Sequence, residues 1–194
     1  MAWSKTEPTG DGDFSLRDDA IRANFAAIET VVGANNLVGP TALNDRIVQV
    51  VNYQTGAVAT GTTILPVDDT IPQKTEGDQY MTLDITPTSA TNKLLIEVIW
   101  NGAQSVHNNL SMALFQDDTS NALIAASAGA QTTSNILTQI KILHYMVAGT
   151  TSKTTFKVRA GSSGAATTTF NGNCGRRIFG GTLISSITIT EIKA

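Results

Sequence analysis

Two histidines, one cysteine and four aspartate pairs are the residues of this sequence whose types and spacing could do chemistry. His107 and His144 stand 37 residues apart, with no HExxH and no paired CxxC, so the spacing that clamps a zinc ion is missing. His144 falls inside the apolar run ILHYMV and reads as a satisfied structural histidine. Cys174 is the sole cysteine; it excludes an intrachain disulfide, and no base can be assigned to it in FNGNCGRR, so it reads as a bland thiol. Asp11/Asp13, Asp18/Asp19, Asp68/Asp69 and Asp117/Asp118 are the carboxylates that could act as an acid/base couple or bind calcium. Neighbours on a strand point to opposite faces, and the alternating calcium-loop pattern ending in Glu is missing. In QDDTSN the aspartates read as caps on turn amides. No GxSxG, Walker or GxGxxG motif occurs, and GSSG and FGG lack the strand-turn-helix setting of a phosphate cradle. The expectation is a protein with no metal, no cofactor and no catalysis.

Recognition is the remaining chemistry, and it belongs to loop tips and sheet faces. In WNGAQSVHNNLS, the residues Trp100, His107, Asn108 and Asn109 combine a ring that stacks on sugar with amides that hydrogen-bond it. The same stretch also reads as an ordinary strand-loop-strand connection. Arg176-Arg177 is an adjacent basic pair, which reads as a solvated turn or a cross-subunit pair rather than a phosphate site. A net charge of −3 with scattered Lys and Arg supplies no field for nucleic acid.

These residues need a scaffold, and the composition says which kind. At 194 residues with 41% hydrophobic, the chain has enough apolar surface for a core. Charged residues make up 15%, below the roughly 25% of an average globular domain, so the polar surface must come from Thr, Ser, Asn and Gln. The opening MAWSKTEPTGDGDF lacks the apolar core of a signal peptide, and no apolar run reaches the roughly 18 to 20 residues of a membrane span. Membrane insertion is not expected.

Residues 1–45 read as an arm and a helix. Ser15 stands at an N-cap position, Asp18 and Asp19 suit the positive end of the helix dipole, and Gly33 stops the pattern. Phe14, Ile21, Phe25, Ile28 and Val32 follow at spacings of seven, four, three and four, one stripe of an amphipathic helix over 16–32. Two heptads are too short to stand alone, so the stripe must pack on a partner or on symmetry mates. Trp3 in the arm is either incidental or an anchor that buries in a partner.

From residue 46 to 194 the helical period gives way to short β-branched runs separated by turns. Strands are expected near 47–53, 62–65, 79–85, 93–101, 109–116, 122–127, 137–147, 154–160, 167–171 and 183–192. In KLLIEVIW, Leu94, Ile96, Val98 and Trp100 share one face, and Leu95, Glu97 and Ile99 the other. One face is core; the second is half apolar. Eight to ten such strands make a mainly β chain, an antiparallel jelly-roll-like β-sandwich preceded by a short N-terminal amphipathic helix.

The runs PVDDTIPQKTEGDQYMTLDITPTSATNKLLIEV, LHYMVAGTTSKTTFKVRAG and FNGNCGRRIFGGTLISSITITEIKA together resemble a C-terminal domain that recurs in tailed-bacteriophage virion proteins of the tail fibre, head fibre or decoration type. The resemblance covers residues 50–194. The opening WSKTEPTGDGDFSLRDDAIRANFAAIE is similar to short segments by which such proteins join their particle. The resemblance implies a homotrimer of jelly-roll knobs located on the virion, with other virion proteins as partners. Half-apolar outward positions such as Leu95 and Ile99 agree with that, because they are costly on a monomer and expected where protomers meet. Two roles follow. One is a short fibre, spike or decoration knob that joins the particle through its N-terminal segment and binds host surface glycan. The other is a purely structural capsid decoration or head-tail accessory protein. The chain has no room for a long shaft, which favours a short knob over a long adhesin.

Overall fold

A computed structural model describes residues 22–27, 46–129 and 133–194. The chain divides into two compact units, residues 1–45 and 46–194. Residues 22–27 are helical and exposed, within the span expected for the amphipathic helix. Phe25 lies there with its ring largely in solvent. Trp3, Phe14, Ile21, Ile28 and Val32 lie outside the described residues.

The described residues of 46–194 form two large antiparallel sheets face to face and one small two-stranded ribbon. The strands are β1 (Ile47–Thr55), β2 (Ala59–Gly61), β3 (Asp78–Ile85), β4 (Lys93–Gln104), β5 (Leu110–Gln116), β6 (Ile124–Ala128), β7 (Thr138–Val147), β8 (Thr154–Ser162), β9 (Thr168–Phe170), β10 (Gly172–Asn173), β11 (Arg176–Arg177) and β12 (Ser185–Ile192). One sheet runs β3-β8-β5-β6. The other is built on β4. Its one edge pairs with β7, and its other edge pairs first with β12, through Ile99↔Ser186, and then with β9, through Gly102↔Phe170. β9 and β12 are therefore two pieces of a single strand line with residues 171–184 looped out. β1 and β2 continue that logic next door, since Thr55 pairs with Ser185 and Ala59 with Phe170. In effect four strand lines face four strands.

The core follows from period-2 alternation. Leu94, Ile96, Val98 and Trp100 of β4 are fully buried, and they meet Leu110, Met112 and Leu114 of β5, Phe156 and Val158 of β8, and Ile187 and Ile189 of β12. Each such side chain contributes roughly 1.5–3 kcal/mol on burial. At one end Tyr80, Trp100 and Phe170 form an aromatic trio, with Tyr80 stacked on Phe170 at 5.0 Å and set edge-on to Trp100 at 5.9 Å. A register shift between Gln79 and Met81 delivers Tyr80 to this position.

One expected strand is displaced. Residues 62–65 are irregular, and the short strand is Ala59–Gly61. The apolar residue that suggested a strand, Leu65, instead packs on Ala113 and Phe115, on the outward face of β5. Residues 62–77 thus form a strap across the sheet. Leu65 N donates to Ser162 O at 3.0 Å and Gly77 N to Ile64 O at 2.9 Å. Arg159 of β8 holds the far end, donating from Nε to Glu76 O at 2.8 Å and from Nη2 to Gly77 O at 2.7 Å. With its outer face covered, β5 is buried on both sides.

The looped-out segment 171–184 has a rigid root. Asn101 N donates to Ser185 Oγ at 2.8 Å, Ser185 Oγ donates to Asn171 Oδ1 at 2.6 Å, and Asn171 N donates to Asn101 O at 2.8 Å. Asn171 Nδ2 also reaches Thr55 O at 2.7 Å. This closed ring of buried polar groups replaces the ladder bonds lost where the strand is interrupted.

Candidate functional site

The four residues grouped by sequence as a glycan surface do not share one. Trp100 is fully buried in the aromatic trio and presents no ring to solvent. Its place was already implied by its alternation with Leu94, Ile96 and Val98. His107 is exposed, and Asn108 and Asn109 are half-buried, in the loop between β4 and β5. That loop is stitched down. Gln104 Nε2 donates to Asn108 O, Asn109 N donates to Ser163 Oγ at 3.2 Å, and Ser163 N returns a bond to Asn109 O at 2.9 Å. Ser105 and Thr167 tie the same two loops with bonds of 3.0 and 2.9 Å.

The aspartate pairs act on turns. Asp68 Oδ1 accepts from Thr70 Oγ1 at 2.6 Å and from Thr70 N at 2.8 Å, and these bonds hold its carboxyl below the usual carboxylate range. Asp117 Oδ1 accepts from Thr155 N at 2.8 Å. Asp118 pairs with Lys157 at 3.0 Å, and hydrogen bonding and charge from that lysine lower its pKa. His144 lies in the inward row of β7, opposite Ile96, where burial pulls its pKa down. Among the described residues no three His, Cys, Asp or Glu side chains converge as metal ligands.

The larger feature is the outward face of the sheet β7-β4-β12-β1. Across the register, one row is Tyr145, Leu95, Thr190 and Val50. The next is Leu143, Glu97, Thr188 and Asn52, and a third is Lys141, Ile99, Ser186 and Gln54. Leu143, Tyr145 and Val50 keep 56%, 58% and 55% of their surface in solvent. Val147 is exposed beside them. A solvated face of an antiparallel sheet is ordinarily polar, so an apolar stripe of this kind calls for a cover. Leu95 and Ile99 were visible in the sequence as half-apolar positions. Their neighbours on β7 and β1 were not, because register is a long-range property.

Two further features lie at opposite edges of the sandwich. Against the edge strand β6, the strap leaves two adjoining recesses of about 410 and 230 Å³. Asp68, Asp69, Thr70, Ile71 and Pro72 form one wall, and Leu123, Ile124 and Ala125 the other. At the far edge, the looped-out segment packs on the bend between β1 and β2, where a Cβ on Gly172 would lie 3.1 Å from Val58 and one on Gly56 would strike Gly181 O. This segment carries exposed Cys174, Arg176, Arg177 and Phe179, the last with 70% of its surface in solvent. Cys174 and Phe179 both adopt left-handed backbone, at φ 50° and 49°.

No family model matches the chain, and no curated protein matches it in sequence. Among solved structures it is similar to Eiger TNF from S. frugiperda, at 10% identity and a TM-score of 0.45, over 74% of this chain and 93% of that one. It is also similar to VP2 of the infectious bursal disease virus subviral particle, at 12% identity and 0.33, over 75% of this chain and 40% of the other. Tailspike protein 4 of bacteriophage CBA120 matches through its enzymatically active domain, at 14% identity and 0.27, over 66% of this chain and 19% of that one. Similarity at this level identifies no family. Among the described residues the surface carries a sheet face with an apolar stripe, a mixed groove and a basic loop.

Proposed function

We propose that the chain is a non-enzymatic structural protein of a tailed-phage virion, a short trimeric knob joined to the particle through residues 1–45. The resemblance of residues 50–194 to phage virion domains supports the setting. The strand order β1/β2-β12/β9-β4-β7 against β3-β8-β5-β6 supports the fold, which we read as a jelly roll of two four-stranded sheets. The observation that carries the oligomer is the apolar stripe of Leu143, Tyr145, Leu95 and Val50 on one sheet face. Covering each half-exposed side chain is worth roughly 1 kcal/mol, about half the value for full burial, and a threefold assembly covers the stripe on every copy.

Sedimentation of the full chain tests this. The expected mass is three times 20.4 kDa. A paired change Leu143→Glu and Tyr145→Glu should give a folded monomer whose unfolding midpoint no longer depends on protein concentration and lies below that of the wild-type trimer only by the lost association, because neither side chain belongs to the core. A clean wild-type monomer at high concentration would overturn the trimer.

The burial of Trp100 favours the second role, a purely structural decoration with no receptor. It removes from the loop containing His107, Asn108 and Asn109 the ring that would stack on sugar. If the knob instead binds host glycan, the isolated protein should compete with particles for adsorption to host cells.

A further inference from the structure

Of the surfaces described, the basic loop and the mixed groove match each other. The loop offers two cations, Arg176 and Arg177, beside the exposed ring of Phe179. Neither arginine makes an ion pair among the described residues. The groove offers two exposed anions, Asp68 and Asp69, beside exposed Val67 and Ile71. Each surface pairs opposite charge with apolar area, which is what steers and fixes a protein contact.

Within one chain they cannot meet. β6 packs across from β7 at one edge of the sandwich, and β1 across from β3 at the other. The groove lies against β6, and the loop sits on the bend after β1. Complementary patches at opposite edges make a head-to-tail contact between copies, and such contacts generate a closed ring when the rotation closes. The loop is also presented rigidly, since Asn101, Ser185 and Asn171 lock its root, so little ordering entropy is lost on docking.

We infer that the loop 171–184 of one copy docks, through Arg176, Arg177 and Phe179, into the groove formed by residues 67–72 and β6 of the next copy. The inference rests on the trimer reading and names the contact that sets its register around the ring.

Charge exchange tests it. Asp68→Lys with Asp69→Lys, and separately Arg176→Glu with Arg177→Glu, should each weaken trimer formation roughly tenfold or more in sedimentation. Combining all four changes should restore association to within a few-fold of wild type. Asp68→Asn with Asp69→Asn keeps the turn cap to Thr70 and should weaken association in the same direction, which guards against a misfolded lysine variant. Trimers insensitive to every change would overturn the docking contact while leaving the trimer standing. A wild-type chain that stays monomeric at all concentrations would overturn both.

Discussion

The carboxylate of Glu191 accepts a 2.6 Å hydrogen bond from Asn92 Nδ2 across 99 residues of chain. Gln49 Nε2 donates to the same carboxylate at 2.6 Å, Thr88 Oγ1 at 2.8 Å and Thr88 N at 2.9 Å. Glu191 is fully buried, and all four donors are neutral. The group therefore ties β12 to β1 and to the turn before β4, and among the described residues no cation pairs with it. Burial alone would raise its pKa, but the bonds from Gln49, Asn92 and Thr88 outweigh it and bring the value to about 2.

That depression predicts an acid limb in stability. A folded pKa below the ordinary value of 4.5 stabilises the fold above that value, and the contribution fades as pH falls toward about 2. At about 1.4 kcal/mol per unit, the contribution at neutral pH is at most about 3–4 kcal/mol. Urea unfolding at a series of pH values should show this loss, and Glu191→Gln should remove it. The amide would also turn an NH2 toward donors, costing roughly 1–3 kcal/mol at neutral pH. An unchanged acid limb in the variant would refute the assignment.

Gly102→Ala should be far more damaging than a methyl on a strand usually is. A Cβ there would stand 2.2 Å from Thr169 O and 2.4 Å from the Trp100 ring, and neither the β9 backbone nor a fully buried indole can give way cheaply. The expected loss is about 2 kcal/mol or more, read as a fall in unfolding midpoint with a change in near-ultraviolet circular dichroism from Trp100. A midpoint within error of wild type would show that β9 shifts freely.

Most strands were legible because their signal is local. Leu94, Ile96, Val98 and Trp100 alternate with half-buried neighbours as the period requires. The same pattern placed Trp100 in the core and should have removed it from the glycan surface. What was not legible depends on distant chain. LSMALF lacks polar alternation because the strap covers its outer face, and Leu65 reads as a strand residue until Phe115 is seen beneath it. TPTSATN reads as turn chemistry, yet Thr88 and Asn92 also serve Glu191, about a hundred residues away. The outward stripe was half visible in Leu95 and Ile99 and completed by the register with β7.

Asn171→Ala should loosen the root of the looped-out segment. Asn171 sits at φ 52°, where asparagine is tolerated and alanine is strained. Its loss leaves the Ser185 hydroxyl and Thr55 O short of a partner in a buried setting. The combined cost is roughly 2–4 kcal/mol. Asn171→Gly relieves the backbone but not the lost bonds, so it should recover part of the stability. Full recovery with glycine would mean that the hydrogen-bonded ring contributes nothing.

Arg159→Met tests whether the strap opens independently of the sandwich. Methionine keeps the apolar stem of the side chain but loses the bonds to Glu76 O and Gly77 O, worth roughly 1.5–3 kcal/mol for a charged donor. Part of that loss should appear locally, because beyond Leu65 the strap is held by hydrogen bonds, those of its backbone and those of Thr63 to Asp78, Gln73 to Asn121 and Lys74 to Asp118 O, most of them solvent-exposed. Hydrogen exchange at the amides of Leu65 and Gly77 should quicken by about tenfold or more, with Ile96 and Ile189 in the central strands changing far less. Leu65→Ala should produce the same local pattern and a larger global loss, about 2–5 kcal/mol, since it empties the small core over Ala113 and Phe115. Equal quickening at Leu65 and Ile96 in Arg159→Met would show instead that strap and sandwich open as one cooperative unit.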